Sequence, residues 1–239
     1  MSPYVLGIDG CRSGWLICSL ELETRKLGFR IFQSFAEILT SHESAKFIGI
    51  DIPIGLRHDA RPRHCDVEAR RLLAPKRSVC VFSAPPRRLL NAPNYREACM
   101  RSLQWFGGKV SQQSFAIYPK VSEVDRLMNP KIQERVFEVH PEVCFWRING
   151  GQALPTSKKS REGYEERRRL LNATCGIALP DSWNWLSVMP HRPVGANRDE
   201  LLDAAVAAHV ARRKVKGDAK VLPEFPEVDD RGIRMEMIF

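Results

Sequence analysis

No cysteine pair in this chain has the spacing of a metal knuckle or a redox dithiol. The seven cysteines, Cys11, Cys18, Cys65, Cys80, Cys99, Cys144 and Cys175, are odd in number and scattered, with no CxxC among them. Neither a zinc ribbon nor a thioredoxin-type site is indicated, and the thiols are expected to be reduced and mostly buried in a cytoplasmic protein. Long apolar runs are lacking too. No stretch approaches the roughly 20 residues that span a bilayer, so no membrane partner is expected. The N-terminus shows no basic segment followed by a long apolar one, so no secretory leader is expected. No repeat recurs at a solenoid period, and the six histidines offer no Cys-His or Ser-His-Asp set.

Acid is scarce in one region. The net charge of the 239 residues is +9. From Arg57 to Lys131, 15 basic residues meet 6 acidic ones, and the rest of the chain is balanced. A neutral frame carrying one basic segment is the electrostatic footprint of a nucleic-acid partner; the alternative is a set of solvated helix faces. The length suits one domain over residues 1–239. A hydrophobic share of 44% allows a real core.

Residues 3–9 form a short apolar run ending on an acid, which suits a strand buried on both faces. Gly10 to Gly14 is a turn, and strands follow at 15–20 and 27–32. Ser34 with Glu37 has capping-box spacing, and Phe35, Ile38 and Leu39 continue a helical stripe. A fourth strand spans 46–51 and stops at Pro53 and Gly55. The basic segment, about 57–131, reads as a helical insertion with helices at 61–74, 94–106 and 120–128. A fifth strand follows at 134–140, a polar loop at 150–160, a charged helix at 161–173, and a Pro- and Trp-rich connection at 180–195. An Ala-rich helix at 199–214 and a last strand at 232–239 complete the chain. This order predicts an α/β fold of RNase H-like topology, a mixed sheet with a helical insertion between the fourth and fifth strands.

Two strands end alike, Val5-Leu-Gly-Ile-Asp9 and Phe47-Ile-Gly-Ile-Asp51. If they are parallel neighbours, their carboxyl-terminal ends lie together, where open α/β sheets build sites. Converging carboxylates repel unless a cation neutralises them or one stays protonated. Mg²⁺ or Mn²⁺ is the expected occupant. Glu138 lies amid apolar residues on the fifth strand and needs a partner, either the ion or a base of the insertion. Asp199 and Asp203 share one face of the last helix. Asp199 could serve as a cap, but Asp203 is a full turn in, among Leu201, Leu202, Ala204 and Ala205. Asp9 and Asp51 have turn-forming alternatives before Gly10 and Pro53. The expected catalytic set is Asp9, Asp51, Glu138 and Asp203, and the expected metal ligands are these four with Asp199. His140 is open between a structural and a catalytic role. The Gly10–Gly14 turn is open between a phosphate loop and a plain hairpin turn. Ser157-Lys158-Lys159 could clamp phosphate, although a solvated loop is the simpler expectation.

These pieces carry a resemblance. Gly7-Ile-Asp-Gly-Cys-Arg-Ser-Gly-Trp15, Gly49-Ile-Asp-Ile-Pro-Ile-Gly55 and Arg63-His-Cys-Asp-Val-Glu-Ala-Arg70 resemble the family called "domain of unknown function 429", described as predicted RNase H-like nucleases. So do Ser78-Val-Cys-Val-Phe82 with Pro85-Pro-Arg87, Lys120-Val-Ser-Glu-Val-Asp125, Phe137-Glu-Val-His-Pro-Glu142 and Asp199-Glu-Leu-Leu-Asp-Ala204. They run in order along the whole chain. Phe82 stands farther from Ser78 than the resemblance would have it. The resemblance implies the RNase H-like fold and an acidic site at Asp9, Asp51, Glu138 and Asp203.

The expected function is metal-dependent hydrolysis of phosphodiesters in DNA or RNA, with the basic segment tracking phosphates. One alternative is phosphoryl transfer from a nucleotide, because the strand–Asp–turn–strand opening also resembles the sugar-kinase and actin superfamily. That would need a homodimer to supply the second wall. The other alternative is a non-catalytic nucleic-acid-binding module, whose acids would be tied up by Arg or Lys.

Overall fold

The computed structural model describes residues 2–179 and 195–239. The connection expected over 180–195 therefore falls, but for its last residue, outside them. Three antiparallel strands open the chain: β1 (Tyr4–Cys11), β2 (Gly14–Glu21) and β3 (Leu27–Phe32). Helix α1 (Phe35–Ser41) starts where the Ser34 side chain accepts the Glu37 amide. Strand β4 (Ile48–Ile50) then pairs parallel with β1, and β5 (Val136–Glu138) parallel with β4. The result is a five-stranded mixed sheet in the order β3-β2-β1-β4-β5.

Between β4 and β5 the helices α2 (His64–Leu73), α3 (Tyr95–Phe106), α4 (Gln112–Ala116), α5 (Tyr118–Leu127) and α6 (Pro130–Gln133) form the expected insertion. It is not a separate lobe. Cys65, Ala69 and Leu73 of α2 join the core on one side of the sheet, and Val121 and Val124 of α5 join it on the other. Glu123 of α5 fastens this arrangement. It accepts the indole N–H of the buried Trp15 at 3.0 Å and the Phe35 backbone N–H.

Three features differ from the sequence expectation. The fifth strand stops at Glu138, and α7 (Pro141–Ile148) begins at once. Pro141 stands at the first helical turn, where its missing N–H costs nothing. Helix α8 (Arg161–Leu170) and α9 (Arg198–Val215) fall as expected, and a π-helical turn extends α8 through Leu171–Cys175. A strand missing from the expectation, β6 (Val221–Val228), pairs with the last strand β7 (Arg234–Ile238) in a separate two-stranded sheet. Pro223 and Pro226 argue against a strand in a sequence pattern, yet both are tolerated in this irregularly registered edge.

The alternation of β1 and β4 sends their side chains to two cores. Leu6, Ile8, Ile48 and Ile50 meet Phe35, Ile38 and the α5 valines. Val5, Phe137 and Val139 meet the alanine-rich α9. All seven cysteines are free thiols, five of them buried. No helix among the described residues is long and apolar enough to cross a membrane.

Candidate metal centre

The two Gly-Ile-Asp segments lie side by side. Gly7 pairs with Gly49 and Ile8 with Ile50, and the Asp51 amide continues the ladder by donating to the Ile8 carbonyl at 2.9 Å. By alternation, each Asp shares a sheet face with the glycine two residues before it. That face is the one α9 covers. A Cβ on Gly7 would overlap the Ala204 carbonyl oxygen and the Ala208 nitrogen, and a Cβ on Gly49 would stand 2.9 Å from the Ala207 carbonyl oxygen. The glycines thus let the helix backbone rest on the strands. Asp203, beside Ala204, is thereby set down among the strand carboxylates. Oxygens of Asp9, Asp51 and Asp203 lie within 4.8 Å of one another.

The group is nearly dry. Asp9 is 9% exposed and Asp203 1%. Burial, then repulsion from Asp51 and Asp203, pushes the Asp9 carboxyl well above the carboxylate range. Burial and Asp203 raise Asp51 to about 8. Asp203 rises to about 6, because Lys158 offsets part of its desolvation. The Lys158 ammonium donates to Asp203 Oδ2. Burial opposes its charge, but Asp203, Asp9 and Asp51 outweigh that and hold its pKa up. Asp203 Oδ1 is buried and has no hydrogen-bond partner among the described residues. Three hard oxygens in reach of one point, one of them wanting a partner, fit a divalent cation of the Mg²⁺ or Mn²⁺ kind.

Glu138 is not in this group. It pairs in register with Ile50, so its side chain leaves the sheet on the face opposite Asp9 and Asp51. There the buried Arg63 grips both its oxygens at 2.7 and 2.8 Å, and the Ile54 amide adds 2.7 Å. Arg63 also binds Asp66 at 2.7 Å. Asp199 lines the same cleft as the three acids but stands outside the ligand group. Nor does it carry the capping interaction of α9, in which Glu200 accepts the Asn197 amide at 2.7 Å.

His140 donates from Nε2 to the Cys80 carbonyl at 3.3 Å, and its Nδ1 is buried without a partner among the described residues. Burial lowers its pKa, so it is neutral at pH 7. The turn from Gly10 to Gly14 is a hairpin turn, in which Cys11 pairs with Gly14. The Lys120 side chain lies against Gly10, where a Cβ would meet its Cδ at 2.6 Å. The ring of Trp15 lies 4.3 Å below the Lys120 ammonium.

Lys158 is the member of the site that the sequence left among solvated loop residues. Helix α8 brings it in. A Cβ on Gly163 would overlap the Ser157 carbonyl, so only glycine lets this loop sit so close to the helix. Glu142 likewise went unread. It is buried and held by Arg167 at 2.8 to 3.1 Å. The three acids open into a cleft of about 700 Å³, whose wall also carries Arg12, Arg77 and Lys159.

The pattern of the family described as "Protein of unknown function (DUF429)" matches residues 7–228. No curated protein and no solved structure matches the chain.

Proposed function

We propose that this chain, which belongs to the DUF429 family, is a metal-dependent phosphodiesterase acting on nucleic acid, built on an RNase H-like sheet and working in the cytoplasm. One observation carries this. Three carboxylates from two parallel strand ends and one helix meet within 4.8 Å, at the wall of an open cleft. Buried acids this close repel, and their raised pKa values record the cost. Clusters of this kind occur at functional sites, where their cost is offset by a ligand.

Asp9, Asp51 and Asp203 would hold Mg²⁺ or Mn²⁺. A divalent ion there supplies Lewis acidity toward a phosphoryl oxygen and lowers the pKa of a bound water. The other residues would orient the substrate. Arg12 and Lys159 are exposed at the cleft and can take phosphate oxygens. Lys158 keeps a positive charge beside Asp203 and limits repulsion among the acids. Glu138, fastened by Arg63, would act as a support of the strand end and not as a ligand.

Lys158 also favours a second reading. Its ammonium sits where a cation is wanted, and a non-catalytic nucleic-acid-binding module would keep it there permanently. Two measurements decide. Mn²⁺ should bind the wild type and raise its melting temperature, with both effects lost in Asp9→Asn. With Mg²⁺ or Mn²⁺, the wild type should cleave members of a panel of single- and double-stranded DNA and RNA at least about a hundredfold faster than Asp9→Asn. Cleavage no faster than that of Asp9→Asn under either ion would overturn the phosphodiesterase.

A further inference from the structure

The cleft has an apolar rim that the acids do not explain. Val79 is 79% exposed and Phe82 51% exposed, and both line the cleft that holds Asp9, Asp51 and Asp203. An aromatic ring left in water forgoes the gain of burial. A ring on a loose loop could fold down to recover it, but this loop is tied. Val81, between the two, is buried, and Arg70 donates to its carbonyl at 3.1 Å and to Ser83 Oγ at 2.9 Å. His140 holds the Cys80 carbonyl, and Asp66 accepts the Ala84 amide at 3.3 Å. Asp66 is itself paired with Arg63, which grips Glu138. The buried ion network behind the strand ends therefore fixes the backbone that displays Phe82.

We infer that Phe82 is a stacking platform for an unpaired nucleobase, and that the cleft takes single-stranded nucleic acid. This rests on the metal-dependent phosphodiesterase proposed above. A ligand for this cleft must satisfy two chemistries at once. Acids with a metal, and the exposed Arg12 and Lys159, call for a phosphate. Phe82 and Val79 call for a flat apolar group within the same cleft. A nucleotide unit carries both. In a duplex the base faces are covered by their neighbours, so only an unpaired strand can offer one to the ring.

The test is fluorescence anisotropy of short labelled oligo-dT and oligo-U strands, and of a matching duplex, in Ca²⁺ to support binding. Wild type, Phe82→Ala and Phe82→Trp are compared, with Mn²⁺ titration of each as an independent readout. Wild type should bind single strands more tightly than duplex. Phe82→Ala should weaken single-strand binding about tenfold, which corresponds to roughly 1.4 kcal/mol. Phe82→Trp should retain it, and Mn²⁺ affinity should not change in either variant. The dT and U arms report which sugar is preferred, and preference for either supports the platform. Equal binding of strand and duplex, or single-strand binding indifferent to Phe82→Ala, would overturn the platform and leave the phosphodiesterase standing. A chain that binds Mn²⁺ but no oligonucleotide would overturn both.

Discussion

Asp203 and Glu138 are both buried acids with a basic partner, yet the two side chains differ in what remains unmet. Glu138 has both oxygens filled, by Arg63 and the Ile54 amide. Asp203 gives one oxygen to Lys158, and the other has no partner among the described residues. The consequence is a contrast between two isosteric changes. Glu138→Gln should cost about 3 kcal/mol of stability, because Arg63 loses its charged partner in a buried place, but should leave the Mn²⁺ affinity of the folded protein within a factor of about two. Asp9→Asn should do the reverse, abolishing Mn²⁺ binding while leaving metal-free stability equal or higher, since an acid that burial and its neighbours make costly to ionise is gone. Urea unfolding and Mn²⁺ calorimetry on the same samples read both quantities. A loss of Mn²⁺ affinity in Glu138→Gln comparable to that in Asp9→Asn would return Glu138 to the ligand set. The sequence made Asp9, Asp51 and Asp203 legible because each is an acid in an apolar setting with no local partner. Glu138 has the same local setting. Its partner, Arg63, lies 75 residues away, and the register that pairs it with Ile50 and so sends it to the other face cannot be read from one strand alone.

At the scale of elements, the joint between α9 and the strands β1 and β4 decides whether the site exists. Gly7 and Gly49 lie in register and receive the alanines of the helix. The Gly-Ile-Asp echo thus has two parts, a contact residue and, two positions on, the acid that the contact brings into line. Gly7→Ala should push α9 off β1. We expect a loss of about 3 kcal/mol, at the upper end of overpacking costs, together with Mn²⁺ affinity reduced at least about tenfold in the protein that still folds. Gly108→Ala, at a position with open space around it, is the control and should change neither. Unfolding curves and Mn²⁺ titration would show it; a Gly7→Ala protein with unchanged metal affinity would mean that Asp203 is held by something other than this joint. The elements were legible where periodicity was strong. Strands β1 to β3 and helices α1, α2, α3, α5, α8 and α9 fall within a few residues of expectation. Strand β6 was hidden by its two prolines, and α7 by apolar alternation that runs into it through His140 and Pro141.

For the whole molecule, the acid group sets a pH dependence. The folded protein holds protons on Asp51 up to about pH 8 and on Asp203 up to about pH 6, whereas an unfolded aspartate releases its proton near 3.9. A pKa raised by folding contributes stability that is complete below the unfolded value and lost as pH rises through the folded one. The buried His140 and His209 have lowered pKa values and act in the opposite sense as pH rises toward 6.5. Comparison with Asp51→Asn cancels the histidines and the buried thiols. Between pH 5 and 8, metal-free wild type should lose stability relative to Asp51→Asn by up to about 1.4 kcal/mol per pH unit, and saturating Mg²⁺ should flatten the difference. Urea unfolding at a series of pH values checks it, and parallel curves without metal would show that Asp51 is ionised throughout.

The acids of β1 and α9 are also separated in time. A ribosome making this chain finishes Asp9 and Asp51 early, but Asp203 belongs to a helix that starts at Arg198. Contacts of such long sequence separation form late in folding. Until α9 has been made and has settled onto Gly7 and Gly49, the growing chain carries two of the three acids and lacks the helix that sets the third beside them. A half-made molecule of this protein therefore lacks Asp203, the third acid of the proposed centre.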